Sequence, residues 1–98
     1  MSKYLIVSRH SAAVAFIRDR LPEFAEAPVL TEARPEDVAG RIVAGNLPLH
    51  LAALADRVGA IEFYGPPPRG LEYGLAEMEA AGAHVAWYEV TPIKELRY

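Results

Sequence analysis

One short run constrains this chain more than any other: residues 3–8, with YLIVS at their heart, form an unbroken apolar and β-branched segment of strand length. It does not alternate apolar with polar, so it cannot have one wet face. A run of this kind is buried on both sides, as in a parallel sheet covered by helices. The rest of the pattern agrees. Ser11 is placed as the N-cap of a first helix carrying Ala12, Val14, Ala15, Phe16 and Ile17 and ending near Leu21-Pro22. Residues 28–30 read as a weak second strand, and Pro35 suits the first position of a turn or short helix at 34–38. Residues 41–45 (RIVAG) are a third strand, broken by Asn46-Leu47-Pro48. Residues 49–58 restore a helical apolar period, with Gly59 placed to close that helix in a left-handed conformation. A fourth strand spans 60–64. Residues 65–70 (GPPPRG) are a stiff exposed loop, because three prolines cannot donate to a ladder. A further helix over 71–81, closed by Gly82, leads to a last strand at 83–90.

Strands alternating with helices imply right-handed βαβ units and a parallel sheet covered on both faces. At 98 residues the chain has room for one such domain, spanning 1–98, with no internal repeat or linker. A core this small leaves surface that oligomerisation would cover. The chain has no cysteine, which removes disulfides, thiolate zinc sites and cysteine nucleophiles, and fits a reducing cytoplasm. Residues 1–3 run straight into a strand without a signal peptide's apolar core, and no apolar run approaches the roughly 20 residues that span a bilayer. A net charge of −3 argues against long nucleic acid as a partner, though not against a small anion held by a local field.

The functional expectation follows from where polar residues interrupt the strands. Ser8-Arg9-His10 and Asn46-Leu47-Pro48 both lie just past strand ends and just before helices. In an open α/β sheet such ends share one edge, where ligands bind at the topological switch point. A strand order of 2-1-3-4-5 would make the two segments face each other. Arg9 offers fixed donors for phosphate oxygens, His10 can carry a proton near neutral pH, and the helix opened by Ser11 adds backbone N–H groups. The plainer alternative is a solvated turn. Asn46 could hold a ligand hydroxyl or phosphate, or simply form a turn. Pro48 stiffens the approach to its helix. His50 could point at the same crevice or at solvent. Arg69 is a phosphate clamp or a surface cation. His84 belongs to a strand and has no assigned role. Tyr64, Tyr73, Trp87 and Tyr88 suit core or dimer contacts better than base stacking. No GxGxxG, no GxxxxGK[ST] and no metal-spaced cluster of His and acids is present.

Several strings together resemble a small CRISPR-associated accessory family of type III systems, the Csx family numbered sixteen. They are VSRH at 7–10, GNLPLHLAA at 45–53, Gly59-Ala60, and PRG-x-E at 68–72. The chain departs from the family at Asn46, where threonine is commoner, and at Ser11, where proline is frequent. The resemblance implies a Rossmann-like, CARF-like three-layer sandwich with a mostly parallel five-stranded sheet. It also implies a ring nuclease: a homodimer, without cofactor, that linearises cyclic tetra-adenylate and switches off the antiviral response. Such cleavage without metal needs a ribose 2′-hydroxyl held in line with its phosphate, a cation on the charge that grows there, and an acid or base at the moving oxygens. Arg9 fits the cation and His10 the acid or base, with His50 as substitute. Ser8, Ser11, Asn46, Leu47, Pro48 and Arg69 would bind the ring. The rival readings are a module that binds a cyclic nucleotide without cutting it, and a protein-interaction domain in which Arg9 and His10 are dispensable.

Overall fold

The computed structural model of the chain describes residues 2–66 and 74–93. The YLIV run forms β1 (Tyr4–Val7), which sits inside the sheet. It pairs in parallel with β2 (Val29–Leu30) on one side and β3 (Ile42–Gly45) on the other. Next to β3 comes β4 (Arg57–Phe63), also parallel, and then β5 (Ala83–Tyr88), which is antiparallel. The order is β2-β1-β3-β4-β5.

Side-chain alternation then sends neighbours to opposite faces. Ile6, Ile42 and Ala44 meet Ile17, Phe24 and Ala27 on one face, while Leu5, Val7 and Val43 meet Val38 and Leu51 on the other. The first face is covered by α1 (Ser11–Arg20), whose Ala13, Phe16 and Ile17 are buried at helical spacing. Beside it α4 (Leu75–Ala80) sets Met78 against Phe16 and Ala83. The second face is covered by two single turns, α2 (Pro35–Val38) and α3 (Leu49–Ala52). Burying a side chain such as Phe16 contributes about 1.5–3 kcal/mol, so a few such residues hold the layers together. Thus the chain is α/β, with a mostly parallel five-stranded sheet and helices on both faces.

Three local expectations are corrected. The helix expected over 49–58 stops at Ala52, and Gly59 lies inside β4 opposite Trp87. The cause is β3, whose buried Val43 and Ala44 need ladder partners that only Val58 and Gly59 supply. Gly59 is there for space: a Cβ would come within 2.9 Å of Val85 and 3.0 Å of Trp87. The crossover expected before the last strand is also absent, since β5 turns back on β4. Tyr64 N–H and Gly65 N–H donate to the carbonyls of Gly82 and Ala81, which sets the start of β5 beside the end of β4. With six residues, α4 is about 9 Å long, too short to return the chain along a strand of seven. Its N-cap is Gly74, whose N–H donates to Glu77, and residues 71–73 of the expected helix lie outside the described residues. Finally, the N-cap of α1 is His10, not Ser11. Gly82 does close α4 as expected, with φ +77°.

Gly45 ends β3 with φ +128°, a conformation open chiefly to glycine. A Cβ here would lie 1.9 Å from the Val7 carbonyl oxygen. The next residue, Asn46, donates its N–H to that same oxygen at 2.9 Å. The two strand ends are therefore drawn together where both segments leave the sheet.

Candidate functional site

Parallel pairing puts the carboxyl ends of β2, β1 and β3 side by side, and a crevice of about 570 Å³ opens there. Ser8, Arg9 and His10 line it from the turn between β1 and α1. Asn46, Leu47 and Pro48 line it from the segment after β3, joined by His50 and Leu51 of α3. The two segments singled out by sequence thus meet in one cavity. Its third wall, Thr31, Glu32 and Ala33 after β2, was not anticipated. The signal existed, because Thr31-Glu32 follows the weak strand at the same edge. A two-residue strand hid it.

Local bonds fix the turn. Ser8 N–H donates to the Leu30 carbonyl at 3.0 Å, and the Ser8 side chain is buried. Its hydroxyl accepts from His10 N–H at 3.1 Å, which pins the residue that starts α1. Val14 N–H reaches the His10 carbonyl at 3.1 Å as the helix begins. Arg9 and His10 are exposed, as are Asn46, Pro48 and His50. The Arg9 guanidinium donates from Nη2 to Glu32 Oε1 at 2.6 Å, joining the cation to the unanticipated wall. Ser11 is exposed in the first turn of α1 and is not among the lining residues. Arg69 lies outside the described residues, and so does Tyr73.

Of the aromatic residues assigned to core or dimer contacts, the three that are described are not core. Tyr64, Trp87 and Tyr88 are all exposed. Trp87 packs beside Phe24 and under Arg57. On the other face of β4 and β5, Tyr64 stacks on His84, and His84 Nδ1 donates to the Gly82 carbonyl at 3.0 Å. Tyr88 donates its hydroxyl to Glu62, and that bond to a carboxylate pushes the phenol above its ordinary value of 10.0. Among the described residues no three His, Asp or Glu side chains gather as a metal-binding group. No helix of the described residues is long and apolar enough to cross a membrane.

The family described as "Putative CRISPR-associated protein (Cas_VVA1548)" has a model that matches residues 5–91. The chain belongs to this family. The matched stretch contains every residue found lining the crevice, so the CRISPR-associated chain and its candidate site share one segment. Comparison with curated proteins gave no match, and comparison with solved structures gave none.

Proposed function

We propose that this CRISPR-associated protein is a ring nuclease that opens cyclic tetra-adenylate and so ends type III antiviral signalling. The observation that carries the reading is the meeting of Ser8-Arg9-His10 with Asn46-Leu47-Pro48 and His50 in one crevice at a sheet edge. The family membership supports the CRISPR setting, and the sheet order supports a CARF-like, Rossmann-like arrangement.

In the reaction a ribose 2′-hydroxyl attacks the adjacent phosphorus. The bond to the 5′-oxygen breaks, leaving a 2′,3′-cyclic phosphate and a free 5′-hydroxyl. A proton leaves the attacking oxygen and another reaches the departing one. His10 or His50 serves as base or acid for these transfers. Arg9 meets the charge that grows on the phosphoryl oxygens. Ser8, Asn46, Leu47 and Pro48 hold the ring in line, and position alone supplies much of the rate. No cofactor is required by this scheme. A crevice of about 570 Å³ suits a drug-sized ligand. A tetranucleotide ring is larger, so a second protomer related by a two-fold axis would grip the other half. The reading places this homodimer in the cytoplasm.

The test is incubation with cyclic oligoadenylates of several ring sizes in EDTA. Linear fragments ending in 2′,3′-cyclic phosphate are expected from cyclic tetra-adenylate. Binding without product, at stoichiometric protein, would instead establish the rival module that sequesters the ring. Activity lost in EDTA and restored by manganese would overturn the mechanism.

A further inference from the structure

Glu32 lines the crevice, and the chemistry just described gives it no task. Its carboxylate accepts from Arg9 Nη2 at 2.6 Å, with side-chain exposures of 78% for Glu32 and 69% for Arg9. An ion pair this exposed adds little to folding, so stability does not account for it. Its consequence lies in the crevice. Any anion that reaches Arg9 arrives beside a like charge. An ionised carboxylate also has only acceptors to offer, so it welcomes a neighbour that brings a donor and repels one that does not.

We propose that Glu32 is a specificity residue: its carboxylate screens Arg9 from bare anions and admits a phosphate that carries a hydrogen-bond donor beside it. A ribonucleotide 3′-phosphodiester meets that condition, because its 2′-hydroxyl sits on the carbon next to the one bearing the phosphate. On binding, the phosphate takes Arg9 and the hydroxyl donates to Glu32; in a cleaved ring that hydroxyl turns from the carboxylate to a histidine as it attacks. A deoxyribonucleotide leaves the carboxylate facing the phosphate with nothing between them. Discrimination of this kind comes from the repulsive element as much as from the attractive one. The ribose half of the proposal rests on the oligoadenylate reading of the site, whereas the screening half does not.

The experiment titrates the wild-type chain, Glu32→Gln and Glu32→Ala with three probes at low salt. The probes are inorganic pyrophosphate, a linear ribo-triadenylate and its 2′-deoxy counterpart. Both variants should bind pyrophosphate roughly five- to tenfold more tightly than wild type, the scale of one unit charge removed at solvent-exposed range. That gain should shrink as salt rises. In Arg9→Ala/Glu32→Ala it should vanish, because the cation it exposes has gone. The wild type should prefer the ribo-triadenylate by more than about tenfold, and Glu32→Ala should bring the two adenylates close to parity. Unchanged pyrophosphate affinity in both variants overturns the screening. A ribo preference that Glu32→Ala leaves intact overturns the selection while the oligoadenylate reading stands. A pyrophosphate gain with no adenylate bound by any form overturns the ribose selection while the screening stands.

Discussion

At the scale of single residues, Arg9 and His10 are adjacent in sequence and exposed at the same cavity, yet their chemistry separates them. A guanidinium holds phosphate before and during reaction, so Arg9→Ala should weaken ring binding and slow cleavage together. An imidazole that moves a proton acts on the barrier, so His10→Ala should keep most affinity and lose roughly 10²–10⁴-fold in rate. His50→Ala should be milder, and none of the three should change the melting temperature, because all are exposed. Single-turnover cleavage beside equilibrium binding separates these outcomes, and wild-type cleavage by His10→Ala would return the role to His50 or to positioning. Away from the crevice, Tyr88 has its phenol pushed up chiefly by the hydrogen bond to Glu62. A group raised in the folded state stabilises it below its unfolded value and ceases to do so as pH climbs through the folded value. The Tyr88 contribution is therefore intact up to about pH 10 and fades above it. Ultraviolet titration of the tyrosines should show a late-ionising component that disappears in Tyr88→Phe and moves down in Glu62→Gln. A titration unchanged by either substitution would dismiss the bond.

Among the elements, the junction of β1 and β3 is the most demanding. Gly45 has both a positive φ and a Cβ position only 1.9 Å from the Val7 oxygen. Strain from the backbone alone costs about 1–3 kcal/mol, and the collision must also push the strands apart. Gly45→Ala should therefore lower the melting temperature by more than about 10 °C and weaken ligand binding, since Asn46 leaves from the displaced strand. Gly40 provides the comparison, with φ +71° and nothing within 4 Å of a Cβ. Gly40→Ala should cost only about 1 kcal/mol. Equal melting of the two variants would mean that the close approach is not what position 45 requires. The same elements show how far sequence reading reaches. β1 and β3 are legible because an apolar run flanked by polar residues reports burial on both faces directly. The helix expected at 49–58 fails because Leu51, Ala52, Ala55 and Val58 suit a helix as well as a turn followed by a strand. Pairing with β3 decides between them, and pairing is a distant contact. Glu32 is hidden in the sequence for a related reason: β2 is held by its neighbour β1, through Ile6 and Val7, more than by its own composition.

For the whole molecule, assembly has a physical handle. Among the described residues the β4–β5 end of the sheet has one helix beside it, on one face, and aromatic surface stands in water there, including Tyr64 at 85% and Tyr88 at 46% exposure. Small domains retain little surplus stability to leave such surface bare. Light scattering at micromolar concentration should report a dimer, and a monomer both with and without cyclic tetra-adenylate would refute it.

Every described residue that lines the crevice comes from positions 7–51. The described parts of β4, α4 and β5 build core but touch no ligand wall. The crevice is thereby inscribed on one stretch of the gene and the far end of the sheet on another. Descendants of this chain can drift at Glu62, His84 and Tyr88, changing how copies meet, without disturbing the inherited edge where a phosphate would be gripped. Changes at Val7, Ser8 or Leu51 carry no such licence, because each of these is buried in the scaffold and lines the crevice as well.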